Sequence, residues 1–396
     1  MIQPATRTQQ TSEYYFAAKL KEIKAMAETG EAVINLGIGS PDLPPAEAVK
    51  ETLVNEIHGK DAFMYNSYKG LDSFRKAVAN WYQTTYGVSL QSESEMLPVM
   101  GTKEGINFIS LAYLNQGDKV FIPNPGYPTY AAAAKLAGAE VTLFNLTEAN
   151  NWYPDMEELE KLVDNRHKMI WVNYPNMPTG QDANQDVFEQ LIRFARKHQL
   201  IICHDNPYSY ILNENPTSIL ASQEAAGVCL ELNSFSKSFN LAGCRVGVLT
   251  GSEELLQPVF KVQSNFSSGM FKPIQRAVMT ALQMPETWHV ELNATYRKRK
   301  QLILELLRIL GCEASKEHVG MFVWAKIPKT FISGKVFSEE VLQQARVFIT
   351  PGEVFGSNGT DYVRISLCAR EEDITSATVR IKNAEIRPTN HSTIGE

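Results

Sequence analysis

The stretch Asn233-Ser234-Phe235-Ser236-Lys237-Ser238-Phe239-Asn240-Leu241-Ala242-Gly243-Cys244-Arg245-Val246-Gly247 decides the reading of this chain. One lysine sits among small hydroxyl residues, with an arginine and two glycines following at short range. Serine hydroxyls and a guanidinium are good donors to phosphate oxygens. A lysine amine attacks a carbonyl only when deprotonated, so such a lysine needs surroundings that lower its pKa. The pattern suits a lysine that forms a Schiff base with an aldehyde whose far end carries a phosphate. Ser-Phe-Ser-Lys alone also describes a surface lysine in a turn. The run through Arg245 and Gly247 is the more specific feature.

Around this stretch, short apolar segments alternate with helical ones. Strands are predicted at 97–100, 119–122, 140–144, 168–173, 199–204 and 228–233, and Arg245 to Thr250 reads as one more. Helices near 103–115, 128–137, 155–164 and 185–198 lie between most of them. This βαβ alternation predicts an α/β fold with an open, mostly parallel sheet. Ahead of it, Glu13 to Glu28 has helical periodicity through Phe16, Leu20, Ile23 and Met26, Val33 to Asp42 reads as a short strand and turn, and 46–58 and 71–85 read as helices. A long helical stretch is predicted over 253–310, and 312–384 reads as a smaller α+β unit. The two ends, 1–12 and 386–396, are polar and predicted to be a flexible arm and a frayed tail.

Composition narrows the function classes. With 396 residues the chain has room for two or three domains, and its net charge of −6 offers no general attraction to nucleic acid or an acidic membrane. The five cysteines are scattered, with no CxxC pair, so neither a disulfide framework nor a metal site is expected, and a reducing cytoplasm is the expected setting. No apolar run approaches the roughly 18 residues of a membrane span.

Ligands of parallel α/β sheets bind beyond the carboxyl ends of the strands. Several polar groups fall there. Asp205 follows Ile201-Ile202-Cys203-His204. Asn173 to Asn176 follows Met169-Ile170-Trp171-Val172. Gly101-Thr102-Lys103 follows Leu97-Pro98-Val99-Met100 and opens a helix, where free N–H groups and the helix dipole favour an anion. Gly37-Ile38-Gly39 lacks the third glycine of a dinucleotide fingerprint, and no Walker A pattern is present. Pro123-Asn124-Pro125-Gly126-Tyr127-Pro128 is a turn carrying an aromatic ring. Arg364, in Tyr362-Val363-Arg364-Ile365-Ser366, is a residue type that binds carboxylate through two parallel hydrogen bonds.

The lysine run, with Asp205-Asn206-Pro207-Tyr208, the Tyr127 turn and Phe355-Gly356…Tyr362-x-Arg364-Ile365-Ser366, resembles the class I/II aminotransferases of fold type I. The resemblance covers Ile34 to Ile381, with the motifs in the expected order. It implies pyridoxal phosphate as cofactor and Lys237 as the residue that binds its aldehyde and shuttles the substrate proton. It implies that Asp205 faces the pyridine nitrogen, Tyr208 the phenolic oxygen and Tyr127 the ring face. Gly101, Thr102, Lys103, Ser234, Ser236 and Arg245 would cradle the phosphate. Arg364 would hold the substrate α-carboxylate, near the Gly39 backbone. Tyr65, in Tyr65-Asn66-Ser67-Tyr68-Lys69-Gly70, resembles the tyrosine that reaches the phosphate of a neighbouring subunit, which implies a homodimer with shared active sites.

One departure stands out. The family's Asn-Pro-Thr-Gly reads Met177-Pro178-Thr179-Gly180, and methionine cannot donate to the phenolic oxygen, so Asn176 or Asn173 is expected to substitute, or Tyr208 to act alone. Tyr14, Tyr15 and Phe16 are expected to cover the substrate, with Tyr15 touching it. The segment Tyr14 to Pro45 is similar to the branch containing LL-diaminopimelate aminotransferase. The implied domains are 1–45 as N-terminal arm and part of a small domain, 46–285 as a large cofactor-binding domain and 286–396 as a C-terminal small domain.

Amino-group transfer between an L-amino acid and a 2-oxo acid, in a ping-pong cycle, is the function this implies. A C–S lyase acting at Cβ or Cγ would use the same residues. A cofactor-binding regulator of transcription would need a DNA-binding segment, and this acidic chain has no stretch to spare for one.

Overall fold

The computed structural model describes residues 2–9, 13–28, 30, 32–384 and 386–387. The expected flexible arm and frayed tail therefore fall partly outside the described residues. Thirteen strands run in chain order: β1 Ile34–Asn35, β2 Met96–Val99, β3 Lys119–Asn124, β4 Glu140–Asn145, β5 His167–Asn173, β6 Ile201–Asn206, β7 Cys229–Ser234, β8 Gly247–Gly251, β9 Glu313–Ala314, β10 Phe322–Lys326, β11 Val347–Phe348, β12 Thr350–Pro351 and β13 Tyr362–Ser366.

Seven of them form one sheet in the order β2-β8-β7-β6-β5-β3-β4. All run parallel except β8, which is antiparallel to both neighbours. Helices cover both faces, so residues of the inner strands are buried whichever way they point, while the edge strand β4 leaves Glu140, Leu143 and Asn145 exposed. Along β5, Ile170 and Val172 join one core, while Met169 and Trp171 join the other on the opposite face. β2, β3, β5, β6 and β7 end at one edge of this sheet, and β8 starts there.

The smaller sheet is β12-β13-β10-β9, all antiparallel, with Arg364 on β13 between Trp324 and Thr350. β1 pairs in parallel with β11, which brings residues near the amino end onto this side of the molecule. Arg299 ties the parts together. It is buried within the helix Glu286–Ile309 and grips Asp42 through two bonds of 2.7 and 2.8 Å.

The single long helix expected over 253–310 is three helices: Glu253–Phe266, Lys272–Ala281 and Glu286–Ile309. Gly269, at φ +90°, makes the first break, and a Cβ there would crowd the carbonyls of Asn66 and Ser67. Pro285 precedes the third helix and ends the run of the second.

Candidate active site

At the sheet edge a cavity of about 450 Å³ opens between the two sheets, roofed by the helix Tyr15–Glu28. Lys237 stands in its wall on the four-residue helical turn Phe235–Ser238, capped by the Ser234 hydroxyl accepting from the Ser236 amide. Its Nζ donates to the Gly39 carbonyl at 2.6 Å. Burial, above all, lowers its pKa, with Arg364 and Arg245 adding to the effect. A neutral amine is thereby reached at lower pH than for an ordinary lysine. Gly39 has to be glycine: a Cβ there would strike the Phe322 ring at 2.3 Å.

Asp205 ends β6 and is buried. Its Oδ2 accepts from the Tyr130 hydroxyl at 2.8 Å, while Oδ1 has no hydrogen-bond partner among the described residues. Burial raises its pKa to about 6. A buried carboxylate with one oxygen unpaired fits a cationic N–H donor such as a protonated pyridine nitrogen. Tyr130, which holds it, was not anticipated from sequence. It lies three residues beyond Tyr127 on one helical turn, and its ring stacks on Trp171 at 4.8 Å. Tyr208 and Tyr127 line the same cavity, both with hydroxyl pKa values raised by burial.

The anion end is built at the start of the helix Thr102–Tyr113. Thr102, Lys103, Ser234, Ser236 and Arg245 converge there. Gly101 lies just behind: at φ +86° it lets the Arg245 guanidinium approach, for a Cβ would meet Nη2 at 2.2 Å. Lys103 sits under the Tyr14 ring, 4.2 Å from its centroid, and burial lowers its pKa. Hydroxyls, two cations and a helix N-terminus in one corner fit a phosphate.

Arg364 occupies the other end. It is buried, bonds no carboxylate among the described residues, and carries its guanidinium 4.0 Å from the Phe322 ring centroid, 4.6 Å from Phe355 and 5.3 Å from Phe16. Nη2 donates to the Gly37 carbonyl at 2.8 Å, and Nε has no partner among the described residues. Burial lowers its pKa to about 10. A buried guanidinium ringed by aromatic faces fits a carboxylate. The three-ring collar had no sequence signal, because its members lie far apart in the chain.

Two expectations need correcting. Asn176 does not face the cavity: its Oδ1 accepts from the Thr179 hydroxyl at 2.7 Å and its Nδ2 donates to the Asn173 carbonyl, so its amide staples the turn. Asn173 does line the cavity; its Oδ1 accepts from the Met177 N–H and its Nδ2 donates to the Asp205 carbonyl, which uses one of its two N–H bonds. Tyr15 is not in the cavity wall either. It points off the back of its helix towards Glu22, Glu339 and Glu353, while Tyr14, Phe16, Ala17 and Leu20 face inward. At about 100° per residue Phe16, Ala17 and Leu20 fall within one arc of the helix, and Tyr15 lies on the far side from its centre. Met177 does line the cavity, and its Sδ accepts from Arg364 Nη1 at 3.2 Å.

Tyr65 lies outside this cavity. It is 90% exposed, beside exposed Phe63 and Met64, and the adjoining segment adds exposed Phe266. Asn66 Nδ2 bonds the Met270 carbonyl, holding these two segments together.

The carboxyl edge of the large sheet, with Lys237, Asp205 and the anion corner, faces Arg364 of the smaller sheet across one cavity, which is the arrangement of a pyridoxal phosphate enzyme of fold type I. The chain belongs to the family of class I and II aminotransferases, whose model matches residues 31–381. It is 36% identical to LL-diaminopimelate aminotransferase of Halothermothrix orenii over 98% of this chain and all of that one. It is 38% identical to the enzyme of the same name from Moorella thermoacetica, over 96% and 98% of the two chains. Among solved structures, apo-BacF from Bacillus subtilis superposes with a TM-score of 0.93 at 34% identity, covering 98% of this chain and 99% of that one. The protein is therefore a pyridoxal phosphate-dependent aminotransferase.

Proposed function

We propose that this cavity moves an amino group from an L-amino acid to a 2-oxo acid in two half-reactions of a ping-pong cycle, with Lys237 as acid and base. One observation carries the assignment of roles: Lys237, Asp205 with its unpaired Oδ1, and Arg364 without a carboxylate line a single cavity. Bound pyridoxal phosphate supplies an aldehyde for the amino group and a ring that delocalises the negative charge left on Cα. Thr102, Lys103, Ser234, Ser236 and Arg245 hold its phosphate, Asp205 its ring nitrogen, Tyr208 its phenolic oxygen and Tyr127 its ring face. With Met177 unable to donate and Asn176 turned away, Tyr208 serves the phenolic oxygen, and the second N–H of Asn173 is the other donor in the cavity wall.

Arg364 grips the α-carboxylate with its planar fork, and the Phe16, Phe322 and Phe355 rings keep water from that pair. Lys237, whose burial favours the neutral amine more than in an ordinary lysine, takes the proton from the substrate Cα and returns it one position along. The Gly39 carbonyl steadies Nζ between those tasks.

The domain division proposed is an arm and part of a small domain over 1–45, a large domain over 46–285 and a small domain over 286–396. Pairing of β1 with β11 supports the first assignment. Exposed Phe63, Met64, Tyr65 and Phe266 support a homodimer in which Tyr65 serves the neighbouring site. All five cysteines are free, which supports a reducing cytoplasm, and no helix among the described residues is long and apolar enough to cross a membrane.

Two measurements test the reading. An amino acid incubated with a 2-oxo acid is expected to yield the exchanged pair without ammonia; ammonia and a thiol would point to the lyase reaction. Borohydride reduction is expected to fix the cofactor to the peptide containing Lys237, and labelling of another lysine would remove the central assignment.

A further inference from the structure

We infer that the amino donor carries a bulky apolar side chain, aromatic or branched aliphatic, and not a second charged end. This rests on the assignment of Arg364 to the α-carboxylate and Lys237 to Cα. Once those two are committed, the wall left for the donor's side chain comes from Tyr14, Phe16, Ala17, Leu20, Ile38, Phe322 and Phe355, and none of these carries a charge.

The charged groups of the cavity are all spoken for. Among the described residues Asp205 is the only carboxylate lining the cavity, and it lies at the cofactor end on the Tyr130 hydroxyl. Its cations are Lys237, Arg364 and the pair Lys103 and Arg245, which sit together at the anion corner. The roofing helix sorts its residues in the same way. Lys19 turns outward to Glu22 and Glu339, at 2.8 and 3.3 Å, and Lys21 to Glu13 at 2.7 Å, while Phe16, Ala17 and Leu20 turn inward.

A donor ending in a second ammonium and carboxylate, as LL-diaminopimelate does, would bring both ions against Ile38 and Phe322 with no oppositely charged side chain beside them. Burying a charge without a partner is strongly unfavourable, whereas a phenyl or isobutyl group gains from the same wall. The chain thus departs from the substrate printed in the names of its relatives.

The test follows the first half-reaction of the holoenzyme, without an acceptor and read from the cofactor's visible absorbance, with L-phenylalanine, L-leucine, L-glutamate and LL-diaminopimelate as donors, which gives kcat/KM for each donor directly. L-Phenylalanine or L-leucine is expected to exceed LL-diaminopimelate in kcat/KM by roughly 100-fold or more. Leu20 is at the cavity mouth and 45% exposed, so its replacement does not threaten the fold. Leu20→Arg is expected to lower the ratio of phenylalanine to glutamate turnover by about tenfold or more. LL-diaminopimelate equal to or better than the apolar donors overturns the inference while leaving the aminotransferase assignment intact, and so does an unchanged ratio in Leu20→Arg. Failure of every donor to transfer its amino group, with ammonia released instead, overturns the reading of the site on which it rests.

Discussion

At the scale of single residues, the site is assembled from groups whose burial is unfavourable until a ligand meets them. Asp205 shows this in its pH dependence. Its folded-state pKa, about 6, lies above the ordinary 3.8. Below that lower value both states are protonated and no difference arises. Between the two values the unfolded chain releases the proton first, so stability falls as pH rises through this window and stays lowered above it. A difference of two pKa units corresponds to about 3 kcal/mol. Cofactor-free Asp205→Asn is therefore expected to be more stable than the cofactor-free parent at pH 8, by up to about 3 kcal/mol, with the gap closing by pH 4. Denaturant melts at both pH values check this. The same substitution in the holoenzyme is expected to lower turnover by roughly 100-fold or more, because the carboxylate that keeps the ring nitrogen protonated is lost. Arg364→Lys keeps a charge and loses the fork. It is expected to raise KM for amino acids at least about tenfold while cofactor content, read from visible absorbance, stays near that of the parent.

At the scale of elements, loops at strand ends carry the chemistry, and buried hydrogen bonds fix those loops. Arg75, buried on the helix Asp72–Tyr86, shows how the Tyr65–Gly70 segment is held. It donates to the Lys69 and Gly70 carbonyls at 3.0 and 2.9 Å, to the Ser92 carbonyl at 2.8 Å, and to Asp72 and Glu93. Removing one donor group strands several buried carbonyls. Arg75→Ala is expected to cost roughly 2–4 kcal/mol of stability. It is also expected to speed tryptic cleavage after Lys69. Unchanged urea unfolding together with unchanged cleavage would contradict this anchoring role. The staple made by Asn176 and Thr179 works on the same principle at the end of β5, and it explains why an asparagine that looked free for a ligand is not.

At the scale of the whole molecule, the proposed shared site makes a prediction about mixing. Tyr65→Ala and Lys237→Ala are each expected to be nearly inactive alone. If Tyr65 serves the neighbouring subunit, a mixed dimer places both defects in one site and leaves the other whole. Activity is then expected to return after subunit exchange, towards about a quarter of that of the parent, since half of the dimers are mixed and each holds one whole site of two. If Tyr65 serves its own chain, every site keeps one defect and no activity returns. A fully active monomer by sedimentation would also remove the shared site.

Much of this architecture was legible in the chain. Strands β2 to β8 were each anticipated within about two residues, because a sheet covered on both faces needs unbroken apolar runs and those runs are local. Lys237, Asp205, Arg364 and the Thr102-Lys103 corner were legible because each sits at a strand end or helix start that local pattern marks. The break of 253–310 into three helices was also local, written in Gly269 and Pro285, and was passed over. Other features depend on distance in space. The antiparallel course of β8 follows from which neighbours it pairs with, and strand direction leaves no mark on composition. The collar of Phe16, Phe322 and Phe355 around Arg364 joins three distant segments, as does the seat of Asp205 on Tyr130. The inward turn of Tyr14 and Phe16, against the outward turn of Tyr15, was set by how one helix rotates on its packing surface. Periodicity defines a helical face, but only the neighbour it packs against decides which way that face is turned.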